Sequence, residues 1–464
     1  MSITKNILIY GAGEFGNFIN RLIISKKIVD FEVKGFIDDS ILKKGNQING
    51  LRVYNKSEIK KSFIDEEEIS GIILAIKNIE ESVKKELEIF FHSLNVPILS
   101  PPDIDYWVRN GLKPQMIKPI SYSSFIDRKK ILINFEPVKR FYSNKTVLVT
   151  GSGGSIGSEI SKQLSDFNLK KIILIDTSET ALFNLLNELK KSIEVEFHMI
   201  SINNKIELEK IFKNNSIDIV FHAAAFKHVG MCEIDFKNCI YNNLFGTINV
   251  VDLSFKFHCE KFIMISTDKA VNPKSVMGIS KRLCELYCLS LSNSGLKTDV
   301  IITRFGNVLG SNGSVLKIFE NRFNKNLPLQ VTDEKMTRYF MSIFEACELV
   351  ILSGFRASNS DICIFDMGEP QNILKLAEKF IISKGLIPYK QYKIEIIGAL
   401  KSEKINEELF NQNEKIEFKA NEKLMIFRSN IDVEVKNNII NDFQGTGQLT
   451  HKIIKNRFRK YATL

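Results

Sequence analysis

"TVLVTGSGGSIGSE", Thr146 to Glu159, joins an apolar strand to a glycine turn and the first turn of a helix. Gly151, Gly154 and Gly157 satisfy a TGxxGxxG spacing. A chain that must bend tightly there and present backbone N–H groups to a pyrophosphate needs residues without side chains. Ser155 and Ile156 open the helix within the same turn. Placement between a clear strand and a clear helix makes the pattern far more specific than the bare spacing. A second stretch of the same form, "NILIYGAGEFG" from Asn6 to Gly16, stands near the start of the chain.

Two such openings predict two Rossmann-like units, each an α/β, doubly wound parallel sheet with helices on both faces. In the first, residues 1–100, strands at "NILIY", "VKGFIDD", "GIILAI" and "VPILS" alternate with helices, and the unit ends near Pro101. Asp38 and Asp39 end its second strand, where a carboxylate can meet a ribose; the other reading is a domain kept for structure or regulation. Residues 101–143 lack sustained periodicity and read as an ordered connector. The second unit, residues 144–464, offers strands at Thr146–Thr150, Ile172–Asp176, near Phe197, at Asp218–Ala224 and at Lys261–Ser266. Seven parallel strands are expected, with "TDVIITRF" the sixth and "CIFDMG" in a later, substrate-side position. Long helices are expected from about Asp235 and from about Ser275.

The whole chain of 464 residues has a globular composition, 44% hydrophobic and 25% charged, with a formal net charge of +10. Its lysines alternate with glutamates in helix-like segments, so the charge fits solvated helix faces and an anionic metabolite better than nucleic acid. Seven cysteines without CxxC pairs, and histidines without HxxxH or HExxH spacing, point to a reducing cytoplasm and no metal. No apolar run reaches about eighteen residues, and no signal peptide precedes the first strand. The chain is expected neither to span a membrane nor to enter the secretory route.

Asp176 ends the strand that follows the glycine turn. A carboxylate there accepts both ribose hydroxyls and repels a 2′-phosphate, which favours NAD over NADP; alternatively it caps the helix begun by "TSET". "HAAAFKHV", His222 to Val229, sets Ala223, Ala224 and Ala225 where a cofactor can lie against the backbone, and puts Lys227 and His228 towards the expected cleft.

These residues, with "NNLFGTINV", "STDKAVNP", "VMGISKR", "TRFGNVLGSNGSV", "MTRYFM", "FDMGEP" and "GALKSEKINEEL" in order, resemble the nucleotide-sugar epimerases and dehydratases of polysaccharide biosynthesis. The likeness is to the large UDP-N-acetylglucosamine 4,6-dehydratases. It implies an extended short-chain dehydrogenase/reductase fold with a small substrate-binding part, mainly 306–340 and 365–464, and NAD as cofactor. The family commonly begins with transmembrane helices, which are not seen here, and commonly has an acidic residue near adenine where this chain has Ile200 and Ser201; serine can still accept a hydrogen bond.

By this resemblance Asp268 protonates the departing C6 hydroxyl and Lys269 takes the C5 proton. Both need inverted charges, and burial is expected to raise the acid and lower the amine. Met277 stands where shorter relatives have tyrosine, and Lys281, four residues on, holds the nicotinamide ribose. The O4 proton is left to Asp268, Lys281 or a water on Thr267. Lys227, Asn307, Ser311, Ser314, Arg338 and Glu403, with Lys404, are placed beside the UDP-sugar, and Asn243 bonds backbone next to the site. Related enzymes pair through the helices near Asp235 and Ser275, which implies a homo-oligomer. A C4 epimerase, which needs no elimination pair, and a non-catalytic nucleotide-binding scaffold are the alternatives.

Overall fold

Thr146–Thr150 is buried along its entire length, as a strand covered by helices on both faces must be. In the computed structural model it lies third in a nine-stranded sheet ordered Glu194–Met199, Lys171–Asp176, Thr146–Thr150, Ile219–His222, Lys261–Ile265, Asp299–Arg304, Asp361–Phe365, Leu424–Arg428, Glu417–Lys419. The first seven strands run parallel, and the last two are antiparallel. The structure describes residues 5–464 apart from 25–30, 77–78, 80–82, 84–85, 88–89, 92, 95, 101–117, 120–133, 191–192, 294, 296, 312, 385, 401, 412–413, 415–416, 420–423, 430, 446–448 and 463.

Alternation along these strands divides the core in two. Leu148, Ile173, Val220, Phe262 and Ile302 pack on one face, while Val147, Val149, Ile172, Phe221, Ile263 and Ile301 pack on the other. Chain order reverses between Thr146–Thr150 and Ile219–His222. Segments leaving the carboxyl ends there diverge and open a crevice, the place where doubly wound sheets bind ligands. Gly151 and Ala223 follow strand ends on that edge, Asp176 closes its strand there and Thr267 lies two residues past another strand end.

By contact the chain divides into one unit of residues 1–125 with 376–394 and another of 126–375 with 395–464. The first has its own seven-stranded sheet, in which Lys5–Tyr10 lies between Phe31–Ile37 and Ile69–Leu74. It also contains a hairpin, Gln47–Ile48 with Leu51–Tyr54, that the strand reading omitted. Asp38 accepts Ala12 N at 2.9 Å, Ser40 N at 3.0 Å and Lys43 Nζ at 2.9 Å, and Asp39 accepts the Tyr10 hydroxyl at 2.7 Å. Both carboxylates thus serve the unit's own turn.

Most of the connector lies outside the described residues, but its end, Glu136–Tyr142, is a helix whose Tyr142 hydroxyl donates to the Ile351 carbonyl at 2.9 Å. The long helix expected from about Asp235 is present, running from Phe236 to Lys256 with a π-helical turn at Tyr241–Phe245 inside it. The helix Val276–Ser292 is buried at every residue, because the helices Glu434–Phe443 and His451–Phe458 pack on it.

A Cβ on Gly157 would lie 2.2 Å from the Gly151 carbonyl oxygen, a backbone atom that cannot turn aside. Gly157→Ala should therefore destabilise the second unit by about 2–4 kcal/mol, read as a lowered midpoint in chemical denaturation. An unchanged midpoint would show that the turn relaxes.

Candidate active site

The glycine turn serves two ends. Gly151 has φ +65°, and a Cβ there would fall 2.6 Å from Ala224 N, so its bareness is required by the protein's own backbone. At Gly154 an added Cβ would meet only the Gly151 carbonyl oxygen, at 3.1 Å. Gly154 is the N-cap of Ser155–Leu164 and makes no side-chain cap bond, so no cap side chain occupies the start of the helix. Gly153, which the spacing argument passed over, donates from its N–H to Asp176 Oδ2 at 2.9 Å, and Ser178 N reaches Asp176 Oδ1 at 2.9 Å. The carboxylate stands beside the turn with lone pairs remaining. Glycine cradle, uncapped helix and ribose-type acceptor together fit a dinucleotide. Ser201 follows the strand Glu194–Met199, and its Oγ accepts Asn203 N at 3.2 Å.

Beneath the cradle runs a buried polar chain. Thr247 Oγ1 donates to the Asn243 carbonyl at 2.6 Å, so it accepts from His222 Nε2 at 2.9 Å. His222 Nδ1 then accepts the Thr150 hydroxyl at 2.8 Å. Burial, aided by Lys281, pushes the imidazole down to about 3, so it stays neutral in this role. Asn243, within the π-helical turn, accepts Phe226 N at 2.7 Å and donates to the Phe226 carbonyl at 3.0 Å and to Ser280 Oγ at 2.9 Å. It fixes the backbone just beyond Ala225, as read from the sequence. Lys281 is buried and has no hydrogen-bond or ion-pair partner among the described residues; burial lowers its amine. Met277 lies one turn earlier in the same apolar cluster.

Thr267, Asp268 and Lys269 follow the strand Lys261–Ile265. Asp268 N continues the ladder to the Phe305 carbonyl at 3.2 Å. Asp268 Oδ1 accepts Thr267 Oγ1 at 2.8 Å and Lys269 Nζ at 3.0 Å, while Oδ2 is buried without a partner. Lys269 also reaches Asn307 Oδ1 at 3.2 Å and Glu407 Oε1 at 3.6 Å. Burial alone would lower the Lys269 amine, but Asp268 and Glu407 outweigh it and hold the group above its ordinary value. That corrects the expectation of a depressed amine. Tyr339 flanks the same place: a Cβ on Gly306 would lie 3.0 Å from Tyr339 Cβ and 3.1 Å from Asp268 Oδ2.

A cleft of about 480 Å³ brings together Lys227, Lys269, Asn307, Arg338, Glu403 and Glu407, with His228 and Lys404 also on its wall. Asp268, Thr267, Met277 and Lys281 do not line it, nor do Ser311 and Ser314. Ser311 Oγ instead donates to the Val308 carbonyl at 2.9 Å, and Ser314 is the N-cap of Val315–Asn324. Arg338 Nη1 is spent on the carbonyls of Thr337 at 2.7 Å and Ile405 at 3.0 Å. Glu403 Oε2 accepts Leu400 N at 3.1 Å, and Lys404 Nζ donates to the Val271 carbonyl at 2.8 Å. Among the described residues no group of three or more His, Cys, Asp or Glu could hold a metal ion.

Sequence reasoning missed the brace behind this site. Glu285 takes Arg304 Nε at 2.8 Å and Nη2 at 2.7 Å, Arg282 Nη1 at 2.8 Å and the Ser266 hydroxyl at 2.6 Å. Arg304 Nη1 meets Glu414 Oε1 at 2.8 Å. The helical spacing of Arg282 and Glu285 was a visible hint, but only the fold brings Arg304 to them.

Sheet order, glycine cradle and strand-end acid define a nucleotide-binding enzyme of the extended Rossmann class. Residues 147–429 match a family described as polysaccharide biosynthesis protein, and residues 6–83 match the PglD N-terminal domain. The capsular polysaccharide biosynthesis protein CapD of Staphylococcus aureus is 34% identical over 440 residues, 94% of this chain and 73% of that protein. The probable polysaccharide biosynthesis protein EpsC of Bacillus subtilis (strain 168) is 36% identical over 418 residues, covering 89% and 69%. The X-ray structure of Pen from Bacillus thuringiensis superposes with a TM-score of 0.58 at 30% identity, over 63% of this chain and 90% of that one. The chain belongs to the polysaccharide biosynthesis family of nucleotide-sugar epimerases and dehydratases. No helix among the described residues is long and apolar enough to cross a membrane.

Burial pushes the Glu285 carboxyl up, but Arg304 and Arg282 overcome this and hold it down to about 2. A depressed acid stabilises the fold fully above its unfolded value, about 4.3, and loses that contribution as pH falls through the folded one. Acid titration of wild-type unfolding should show a stability loss between these limits. Removing one partner of a buried pair, as in Glu285→Gln, costs about 3–5 kcal/mol and should flatten that loss. Equal acid slopes for the two proteins would sink the assignment.

Proposed function

We propose that this chain is a lyase that carries out NAD-dependent 4,6-dehydration of a UDP-sugar, foremost UDP-N-acetylglucosamine, giving a UDP-4-keto-6-deoxy sugar for surface polysaccharide. One observation carries the reading: Lys269 Nζ lies 3.0 Å from Asp268 Oδ1 while Asp268 Oδ2 is buried and unpartnered. An acid and an amine side by side at a strand end suit elimination of water, which needs a proton given at O6 and one removed at C5. A C4 epimerase has no use for that pair.

NAD, when bound, supplies reversible removal of two electrons and one hydrogen from sugar C4. Gly151, Gly154, Ser155, Ile156 and Gly157 would hold its pyrophosphate, Asp176 its adenosine ribose, Ser201 its adenine side, Ala223 to Ala225 its flank and Lys281 its nicotinamide ribose. Arg338, Lys227, Asn307 and Glu403 line the cleft that suits a diphosphate sugar. Asp268 would give a proton to the leaving hydroxyl, that proton being shared with Lys269 within the pair. All seven cysteines are free and buried, which fits a cytoplasmic reaction.

Incubation with UDP-N-acetylglucosamine and NAD should give a product lighter by one water in mass spectrometry. Asp268→Asn and Lys269→Ala should each lower turnover by about 10²–10⁴-fold. A product of unchanged mass with inverted C4 would establish the epimerase instead, and no product at all would leave a binding scaffold.

A further inference from the structure

Lys269 answers to two carboxylates, and only one of them is its neighbour in sequence. Glu407 comes from the segment after Lys404, which is tied down by three bonds: Thr337 N to the Ile405 carbonyl at 3.0 Å, Arg338 Nη1 to the same oxygen at 3.0 Å, and Thr337 Oγ1 to Asn406 Oδ1 at 2.8 Å. That tether sets the Glu407 side chain, 4% exposed, against the cleft wall beside Lys269, Asn307 and Arg338. Its Oε1 lies 3.6 Å from Lys269 Nζ and 3.8 Å from Arg338 Nε, and its Oε2 is buried with no protein partner. A buried carboxylate oxygen without a partner costs stability, and a fold that keeps one beside a substrate cleft has an oxygen in reserve for a proton.

The elimination needs such an acceptor. Asp268 and Glu407 keep Lys269 an ammonium, and an ammonium takes a proton only by passing one on. Asp268 is engaged with the hydroxyl side of the reaction. The remaining acceptor in reach is Glu407.

We propose that Glu407 is the terminal acceptor of the proton leaving sugar C5, with Lys269 as relay. This inference rests on the dehydration reading. Lys269 gives an N–H proton to a Glu407 oxygen and takes the C5 proton in its place, so the C5–H bond breaks, a carboxyl O–H bond forms and the lysine ends unchanged. Asp268 gives its proton to the C6 hydroxyl, the C6–O bond breaks and water departs. The electron pair and hydrogen taken from C4 would come back to C6 by the reversible chemistry that NAD supplies when bound, and Glu407 returns its proton through Lys269 to C5. Product and enzyme are then in balance, with the O4 proton recharging Asp268.

The experiment compares the full chain with Glu407→Gln and Glu407→Asp, using UDP-N-acetylglucosamine and NAD in D2O. Glu407→Gln should lower kcat by about 10²-fold or more with KM within about threefold. Because oxidation at C4 precedes the lost step, reduced cofactor should accumulate in a single turnover, and deuterium should fail to enter C5. Glu407→Asp, with the carboxyl one methylene back, should restore part of kcat and the C5 label. A role confined to packing would lower the melting temperature without trapping reduced cofactor. Full kcat in Glu407→Gln, or a raised KM with kcat intact, overturns the proposal. If Glu407→Gln is recovered unfolded, Glu407→Asp decides: wild-type kcat overturns the relay, and a lowered kcat with trapped reduced cofactor supports it. A wild-type chain that makes no dehydrated product sinks both this assignment and the function beneath it, whereas an active wild type with an equally active Glu407→Gln sinks this assignment alone.

Discussion

A guanidinium locked to a carboxylate in the dry interior holds in place the edge of the sheet that carries the candidate site. Arg304 ends the strand Asp299–Arg304, Glu285 sits mid-helix in Val276–Ser292, and Ser266 follows the strand Lys261–Ile265; the three meet through bonds of 2.6 to 2.8 Å. Such a pair adds little net stability over apolar packing. Its value is geometric: the planar fork accepts one orientation, so two strand ends and a helix cannot slide past one another. Thr267, Asp268 and Lys269 come immediately after Ser266 and inherit that rigidity. Positions that must aim a proton within a fraction of an ångström need support of this kind.

Two lysines on this edge, Lys281 buried and Lys269 half-buried, show how neighbouring charges assign the direction of a shift. Lys281 has no carboxylate in bonding range, and desolvation lowers its amine. At Lys269 desolvation also acts to lower the amine, but Asp268 and Glu407 outweigh it and raise the group. Opposite outcomes on one helix-and-turn assembly separate a lysine suited to hydrogen-bonding a ribose from one suited to carrying a proton between carboxylates. His222, with both ring nitrogens satisfied by threonine hydroxyls and its imidazole held neutral, is a structural strut between the glycine turn and the π-helical turn.

Features governed by neighbours in sequence were legible; features made by distant segments were not. Strand alternation foretold both faces of the core, since Leu148 and Val149 fall on opposite sides. The glycine spacing located the cradle because one turn supplies it. The hairpin in the first unit was legible and overlooked: Asn49 and Gly50 have φ of +51° and +80°, the conformation an Asn-Gly pair adopts in a two-residue hairpin turn. Glu407 and Arg304 carried no such signal. A carboxylate in "KINEEL" looks like any helix-surface acid until the tether on Ile405 brings it to Lys269. The sign of the Lys269 shift was misjudged for the same reason, because burial is a local expectation and the second carboxylate is not.

The methionine at position 277 follows from packing. Its side chain is 3% exposed and lies in the apolar cluster with Cys239, Val276 and Leu283. A phenol placed there would bring a hydroxyl that must find a partner or lose stability. Ser280, the nearest hydroxyl on that helix, already donates to the Met277 carbonyl and accepts from Asn243. A thioether fills this space without a polar demand. The proton transfers proposed for this site are assigned instead to the strand end, where Asp268 Oδ1 lies 3.0 Å and Glu407 Oε1 3.6 Å from Lys269 Nζ.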